Sequence, residues 1–269
     1  MNDDSRGRKV AVVQMEVRAG EVDWNLVRAQ KLLKELEDWN PDLVVFPESV
    51  LDGYACRMPE LRDLARDEHS DEVRAIADSA RKLQAWILWT FAERASASVY
   101  NTAVLFDRQG KIQLRYRKVH LCQEVGELDA YASGGAFPVV DMEGLWTGVM
   151  TCFDRHFPEA ARTLALRRAQ LILHPTATIW FKPDPDSINT AMMRTRAYEN
   201  RCFILSVNQV NYGGGSALFG PWGNVLAIAS EGEETLRLHL DPALREQRPG
   251  NTFALLPVRK PESYEADIP

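Results

Sequence analysis

Hydrophobic and polar positions along this chain switch between a strand-like and a helical pattern. The compact apolar run "KVAVVQM" over 9–15 reads as a buried strand. Behind it Asp23, a favourable N-cap residue, precedes Leu26, Val27, Leu33 and Leu36 at helical spacing, which predicts a helix. "DLVVFPE" over 42–48 gives a second strand, stopped by Pro47, whose nitrogen cannot donate to a ladder. Ser70 is placed to cap a helix running to about Leu83, and "WILWTFAE" supplies a third strand.

Two hairpins are legible from their turns. "VYNTAVLFD" and "KIQLRYRKV" flank Asp107-Arg108-Gln109-Gly110, with glycine where a positive φ is needed. "FPVVDM" and "LWTGVMT" pair around Glu143-Gly144. Helix 158–168, strand "QLILH", helix 186–200 and strand "CFILSVN" follow, then a hairpin-rich section with "GGGSALFGPWGNVLAIAS" and "TLRLHLD". Hairpins mixed with crossovers predict one α/β domain over 1–269, with mixed sheets covered by helices. About a dozen strands is too many for one comfortable open sheet, so two stacked sheets are expected. The polar, proline-bearing tail from about 242 is expected on the surface or against a partner subunit.

Composition narrows the function classes. The 269 residues are 45% hydrophobic and 26% charged, an ordinary soluble balance. A net charge of −6 with no Lys/Arg block argues against a nucleic-acid partner. No apolar run approaches the ~18 residues of a membrane span, and "MNDDSRGRK" leads into no secretory h-region, so a cytoplasmic location is expected. Cys56, Cys122, Cys152 and Cys202 are scattered without a CxxC, which argues against a disulfide framework or a zinc site. Cys56 and Cys202 read as small buried hydrophobes, and no metal or cofactor is expected. Gly213-Gly214-Gly215 lacks the Lys-Ser/Thr of a phosphate loop and reads as a flexible turn near the pocket.

Three predicted strands lead into a reactive residue: "DLVVF" into Glu48, "LRYR" into Lys118 and "LWTGVMT" into Cys152. Ligands of open α/β sheets gather at such carboxyl ends. At a strand-to-helix junction, backbone N–H groups and the helix dipole favour the Cys152 thiolate. Glu48 in a dry pocket is suited to take the thiol proton. Lys118 and the Phe153 N–H are suited to meet a developing oxyanion. Spacing alone leaves the plainer reading open, a structural cysteine beside a Glu–Lys ion pair.

Taken together, "FPESVLDGY", "YRKVHL" and "TCFDRHFPE" resemble the three signature segments of the nitrilase (carbon–nitrogen hydrolase) superfamily. The likeness runs from "VAVVQM" to "GPWGNVLA" and takes in "HPTA" and "RAYEN". It implies an α-β-β-α four-layer sandwich with two mixed sheets and a metal-free triad. By position, Glu48 is the base, Lys118 the oxyanion-stabilising cation and Cys152 the nucleophile. A second glutamate in the pattern Glu-x-x-x-aromatic-x-x-Gly falls on Glu127 in "ELDAYASG", with Glu124 as the competing choice.

Nitrilases of this superfamily usually carry Cys-Trp-Glu, whereas Cys152-Phe153-Asp154 resembles the amidase and N-carbamoyl amino acid hydrolase branches. There the arginine of Cys-x-Asp-Arg grips a substrate carboxylate, a place held here by Arg155. The guanidinium fork suits that task, though bracing Asp154 or Glu159 is an equal reading. Tyr54, Phe153, Thr176 and Trp180 are the other candidate pocket residues, while His120 and His174 read as structural. The expected substrate is a small linear amide or N-carbamoyl amino acid. A nitrile hydrolase and a non-catalytic binding protein of the same fold are the alternatives. The resemblance also implies a homodimer or larger homo-oligomer.

Overall fold

The computed structural model describes residues 7–54, 60–178, 187–247, 249, 253 and 255–264. Its twelve strands divide into two six-stranded mixed sheets. The first holds β1 (Arg8–Gln14), β2 (Leu43–Val45), β3 (Trp86–Ala95), β4 (Ser98–Phe106), β5 (Ile112–Arg117) and β12 (Glu234–Leu240), in the order β12-β1-β2-β3-β4-β5. The second runs β11-β10-β9-β8-β7-β6, from β6 (Val139–Met142), β7 (Leu145–Val149), β8 (Leu171–Thr176), β9 (Phe203–Asn208), β10 (Ala217–Phe219) and β11 (Val225–Ile228). Each sheet centres on a parallel trio, β1-β2-β3 and β7-β8-β9, extended on both sides by antiparallel strands.

Among the described residues the α-helices are α1 (Val22–Lys34), α2 (Glu60–Leu64), α3 (Asp71–Leu83), α4 (Glu127–Ala130), α5 (Pro158–Leu166) and α6 (Ile188–Asn200). Strand alternation sorts the layers. Ala11, Val13, Val44 and Ile87 face one way and pack with Ala29, Leu33, Ile76 and Ala80 of α1 and α3. Val10, Val12, Leu43 and Leu88 face the other way and meet Val149, Leu171, Leu173 and Phe203 of the second sheet. Ile172 and Ile204 on its outer side pack with Ala161, Leu164, Met193 and Ala197 of α5 and α6. The architecture is therefore the four-layer α-β-β-α sandwich. Each buried Leu, Ile or Val contributes about 1.5–3 kcal/mol of apolar transfer, and sheets apolar on both faces require helices outside and a partner sheet inside.

Local signals mostly hold. Ser70 caps α3 by accepting from Val73 N, Gly110 turns the first hairpin at φ +71°, and Glu143 and Gly144 both take positive φ in the second. One start differs: α1 begins at Val22 with Glu21 at the cap position, and Asp23 lies within the first turn. There its carboxylate complements the positive helix end without capping it. The glycine run is also not loose. Gly213, Gly214 and Gly215 all have positive φ, and bonds to Gln209 O, Ser230 O and Asn208 Nδ2 pin them. A Cβ on Gly214 would lie 2.6–2.8 Å from three neighbours, so glycine is there for close packing. Among the described residues, no helix is long and apolar enough to cross a membrane.

Candidate active site

Pro47 ends the β2 ladder, and the chain turns through Glu48 with Ser49 at φ +48°. Several bonds to neighbouring elements hold this turn. The Thr90 hydroxyl donates to Pro47 O and accepts from Val50 N, while Leu51 N reaches Thr90 O. Ala92 N donates to Asp52 Oδ1 at 2.7 Å, and Gln209 Nε2 to Glu48 O at 2.6 Å. A left-handed non-glycine residue costs on the order of 1–3 kcal/mol and persists only where its surroundings over-determine it.

Lys118 follows β5 directly, its amide bonded to Asn101 O and its carbonyl to Gly134 N. The ammonium is fully buried between two carboxylates, 2.9 Å from Glu48 Oε1 and 2.6 Å from Glu127 Oε1. Burial alone would depress it, but Glu48, Cys152 and Glu127 outweigh burial and hold its pKa well above the ordinary lysine value. Glu48 also accepts from Asn101 Nδ2 at 2.8 Å and Ala177 N at 2.9 Å. Burial raises its pKa, Lys118 opposes that, and Glu127 adds to it. Glu127 further accepts from Tyr54 Oη at 2.5 Å and Cys122 N at 2.6 Å. Of the two glutamates weighed, Glu127 therefore meets Lys118, while Glu124 accepts from the Cys122 thiol nearer the surface.

Cys152 opens a short 3-10 turn, Cys152–His156, at φ +45°. Its carbonyl accepts from His174 Nε2 at 3.1 Å and Arg155 Nη1 at 2.9 Å. A carbonyl only accepts, so the proton of His174 sits on Nε2, and Nδ1 accepts from the Ser206 hydroxyl at 2.8 Å. Burial drives the His174 pKa down to about 3, so the ring is neutral and braces the turn. Arg155 Nη1 lies 3.7 Å from the sulfur, and the Glu48 carboxylate acts on it electrostatically. The expected stabilised thiolate is corrected here: burial, reinforced by Glu48, holds the Cys152 pKa above the ordinary thiol value, and Lys118 and Arg155 only partly offset it. A five-residue 3-10 turn offers too little dipole to overcome that burial.

Cys152 opens onto a cavity of about 590 Å³ lined also by Tyr54, Phe153, Arg155, Thr178 and Tyr212, with Val125 and Ile188 on its wall, while Lys118 is buried behind that lining. Arg155 is buried, donating to Asn189 Oδ1 at 3.0 Å and Thr178 Oγ1 at 3.3 Å, and braces neither Asp154 nor Glu159. Among the described residues it has no carboxylate partner. Thr176 is buried beside the sulfur, and its neighbours Ala177 and Thr178 reach the cavity wall. Trp180 and Cys56 lie outside the described residues. Cys202 is buried, its thiol pushed up to about 12 by burial, as a structural cysteine should be.

Asn101, Gln209, His174 and Asn189 were not singled out as site residues on sequence grounds. They sit inside or just past apolar strands or on a helix, where no local pattern separates a polar residue that holds a catalytic group from one that caps or turns.

These features make a candidate hydrolase site on an α-β-β-α frame. The sequence matches the Carbon-nitrogen hydrolase family over residues 9–249, and the chain belongs to that family. A protein named nitrilase from Pyrococcus abyssi is 34% identical, over 84% of this chain and 86% of its own. An (R)-stereoselective amidase of a Pseudomonas species is 30% identical, over 87% and 85%. The solved structure of Saccharomyces cerevisiae Nit3, a member of branch 10 of the nitrilase superfamily, superposes with a TM-score of 0.81 at 26% identity, covering 90% of this chain and 93% of that one.

Proposed function

We propose that this carbon–nitrogen hydrolase is a thiol amidohydrolase that cleaves a small linear amide or N-carbamoyl amino acid through a thioester on Cys152. The observation behind the chemistry is the buried Lys118 ammonium, held by Glu48 and Glu127 within electrostatic reach of Cys152, whose residue lines a cavity. Cys152 Sγ attacks the carbonyl carbon while Glu48 takes the thiol proton. The oxyanion forms against Lys118 Nζ and the Phe153 N–H. Collapse breaks the C–N bond, and Glu48-H gives its proton to the departing ammonia or amine. Water, deprotonated by Glu48, then attacks the thioester and releases the acid and the free thiol. A neutral resting thiol suits this order, because the proton moves only as sulfur attacks.

Arg155 supports the carbamoyl amino acid reading, because a buried guanidinium with no described carboxylate partner beside the nucleophile suits an anionic substrate group. Tyr54, Phe153, Thr176 and Trp180 are the remaining proposed pocket residues. We place the enzyme in the cytoplasm as one catalytic domain that forms at least a homodimer. The exposed Phe253, Val258 and Tyr264 support an interface role for the segment beyond 242. Ammonia release from nitriles, aliphatic amides and N-carbamoyl amino acids tests the activity, with Cys152→Ala as the inactive control. Full activity in Cys152→Ala refutes the thioester route. Equal rates on a carbamoyl amino acid and its decarboxylated analogue remove Arg155 from the carboxylate role.

A further inference from the structure

Asp154 stands two residues past the nucleophile and has no part in the steps above, yet its fully buried carboxylate is completely engaged. Oδ2 accepts from the Tyr116 hydroxyl and from Thr151 N at 2.7 Å. Oδ1 accepts from His120 N at 3.1 Å and His120 Nδ1 at 2.8 Å. The Tyr116 hydroxyl in turn accepts from Val119 N at 3.1 Å. Two stacked ring pairs flank the cluster: Tyr116 on Phe137, and His120 on Phe157 at a centroid distance of 3.7 Å.

The placement of these bonds gives them meaning. Tyr116, Val119 and His120 bracket Lys118 on the segment leaving β5, while Thr151 and Asp154 bracket Cys152 on the segment leaving β7. The two strands belong to different sheets, so no ladder sets the register of the cation against the sulfur. One carboxylate with about four acceptor sites, all occupied, ties the two segments together from behind.

We propose that Asp154 is a positioning residue, which sets the distance and aim between Lys118 and Cys152 by holding Tyr116, His120 and Thr151 at once. The proposal rests on the thiol amidohydrolase reading. It differs from plain structural support in what it predicts for two reactions of one sulfur. Amide hydrolysis needs Lys118 aligned with the oxyanion. Alkylation of Cys152 by iodoacetamide is a displacement at carbon with no oxyanion, so it reads the access and ionisation of sulfur but not that alignment.

The experiment compares kcat, KM, the iodoacetamide rate and the unfolding temperature in Tyr116→Phe, Asp154→Asn and the double variant. A misplacement near 1 Å costs about 10²-fold, so Asp154→Asn is expected to lose about that in kcat. Tyr116→Phe, which removes one donor, is expected to lose about 10-fold by the same reasoning. KM and the alkylation rate should stay within about threefold of wild type. Because the two residues act as one unit, the double variant should be no worse than Asp154→Asn alone. Tyr116→Phe, which keeps Asp154 and its bonds to Thr151 and His120, keeps the test open if Asp154→Asn does not fold. A folded Tyr116→Phe with wild-type kcat overturns the proposal, as does a loss of kcat and alkylation in parallel with unfolding temperature. The functional reading fails separately, through a wild type that hydrolyses none of the substrates.

Discussion

Replacing Glu127 by Gln probes the electrostatics of the site with little change of shape. Glu127 and Glu48 each bond Lys118 Nζ through Oε1, at 2.6 and 2.9 Å. Those two oxygens therefore lie within about 5.5 Å of each other, the sum of the two bonds. At an effective dielectric of about 20, two like charges at that separation repel by about 3 kcal/mol. Glu127 thus helps hold the Glu48 pKa up, alongside the burial that is the largest cause. Removing its charge lowers the pKa of Glu48, so the acid limb of the kcat/KM profile should move to lower pH.

The neutral amide has a second effect. Glu127 accepts from Tyr54, Lys118 and Cys122 N, and Gln must turn its NH₂ toward at least one of these donors. Lys118 keeps Glu48 as a partner, so stability should fall only by the cost of a buried unmatched donor, about 1–3 kcal/mol. A loosened Lys118 should lower kcat on the order of 10²-fold, as loss of an oxyanion donor does. Amide hydrolysis from pH 4 to 9, with urea unfolding as the stability control, measures all three. An acid limb that stays put or moves up would refute the assignment of Glu127 as the charge that tunes Glu48.

Three further outcomes follow from the geometry. A Cβ on Gly134 would lie 2.0 Å from Arg117 O, next to Lys118, so Gly134→Ala should cost about 1–3 kcal/mol and lower kcat more than it raises KM. Burial lifts the Asp52 pKa to about 7 from 3.8. The folded state therefore holds this proton more tightly than the unfolded one. Its contribution is fully present below about pH 4 and is lost as pH rises to about 7, on the order of 4 kcal/mol in all. Asp52→Asn should flatten that decline in urea titrations, and an unchanged slope would refute it. Ser70→Ala removes the α3 cap, whose bond to Val73 N is long at 3.4 Å. The loss of stability should stay near the low end, about 0.5 kcal/mol, and activity should be unaffected.

The sequence by itself determined the parts. Compact apolar runs placed the strands, because a strand covered on both faces buries nearly every side chain; Ser70, Gly110 and the Glu143-Gly144 pair marked a cap and two turns through their own backbone chemistry. Motif resemblance then placed Glu48, Lys118, Glu127 and Cys152 in one site, and the fold brings all four together. Other features depended on bonds that no sequence pattern shows. Glu21 rather than Asp23 sits at the α1 cap position, and the glycine run is pinned by Gln209, Ser230 and Asn208. Ionisation was likewise decided in three dimensions. A cysteine at a strand end reads as an activated thiol, but desolvation acts through every surrounding atom, and only the packed interior shows burial and Glu48 outweighing Lys118 and Arg155. The same is true of Asp154, which by its place in the chain is one polar residue after a strand. Only the meeting of two sheets lets its carboxylate bond both the segment that carries Lys118 and the one that carries Cys152.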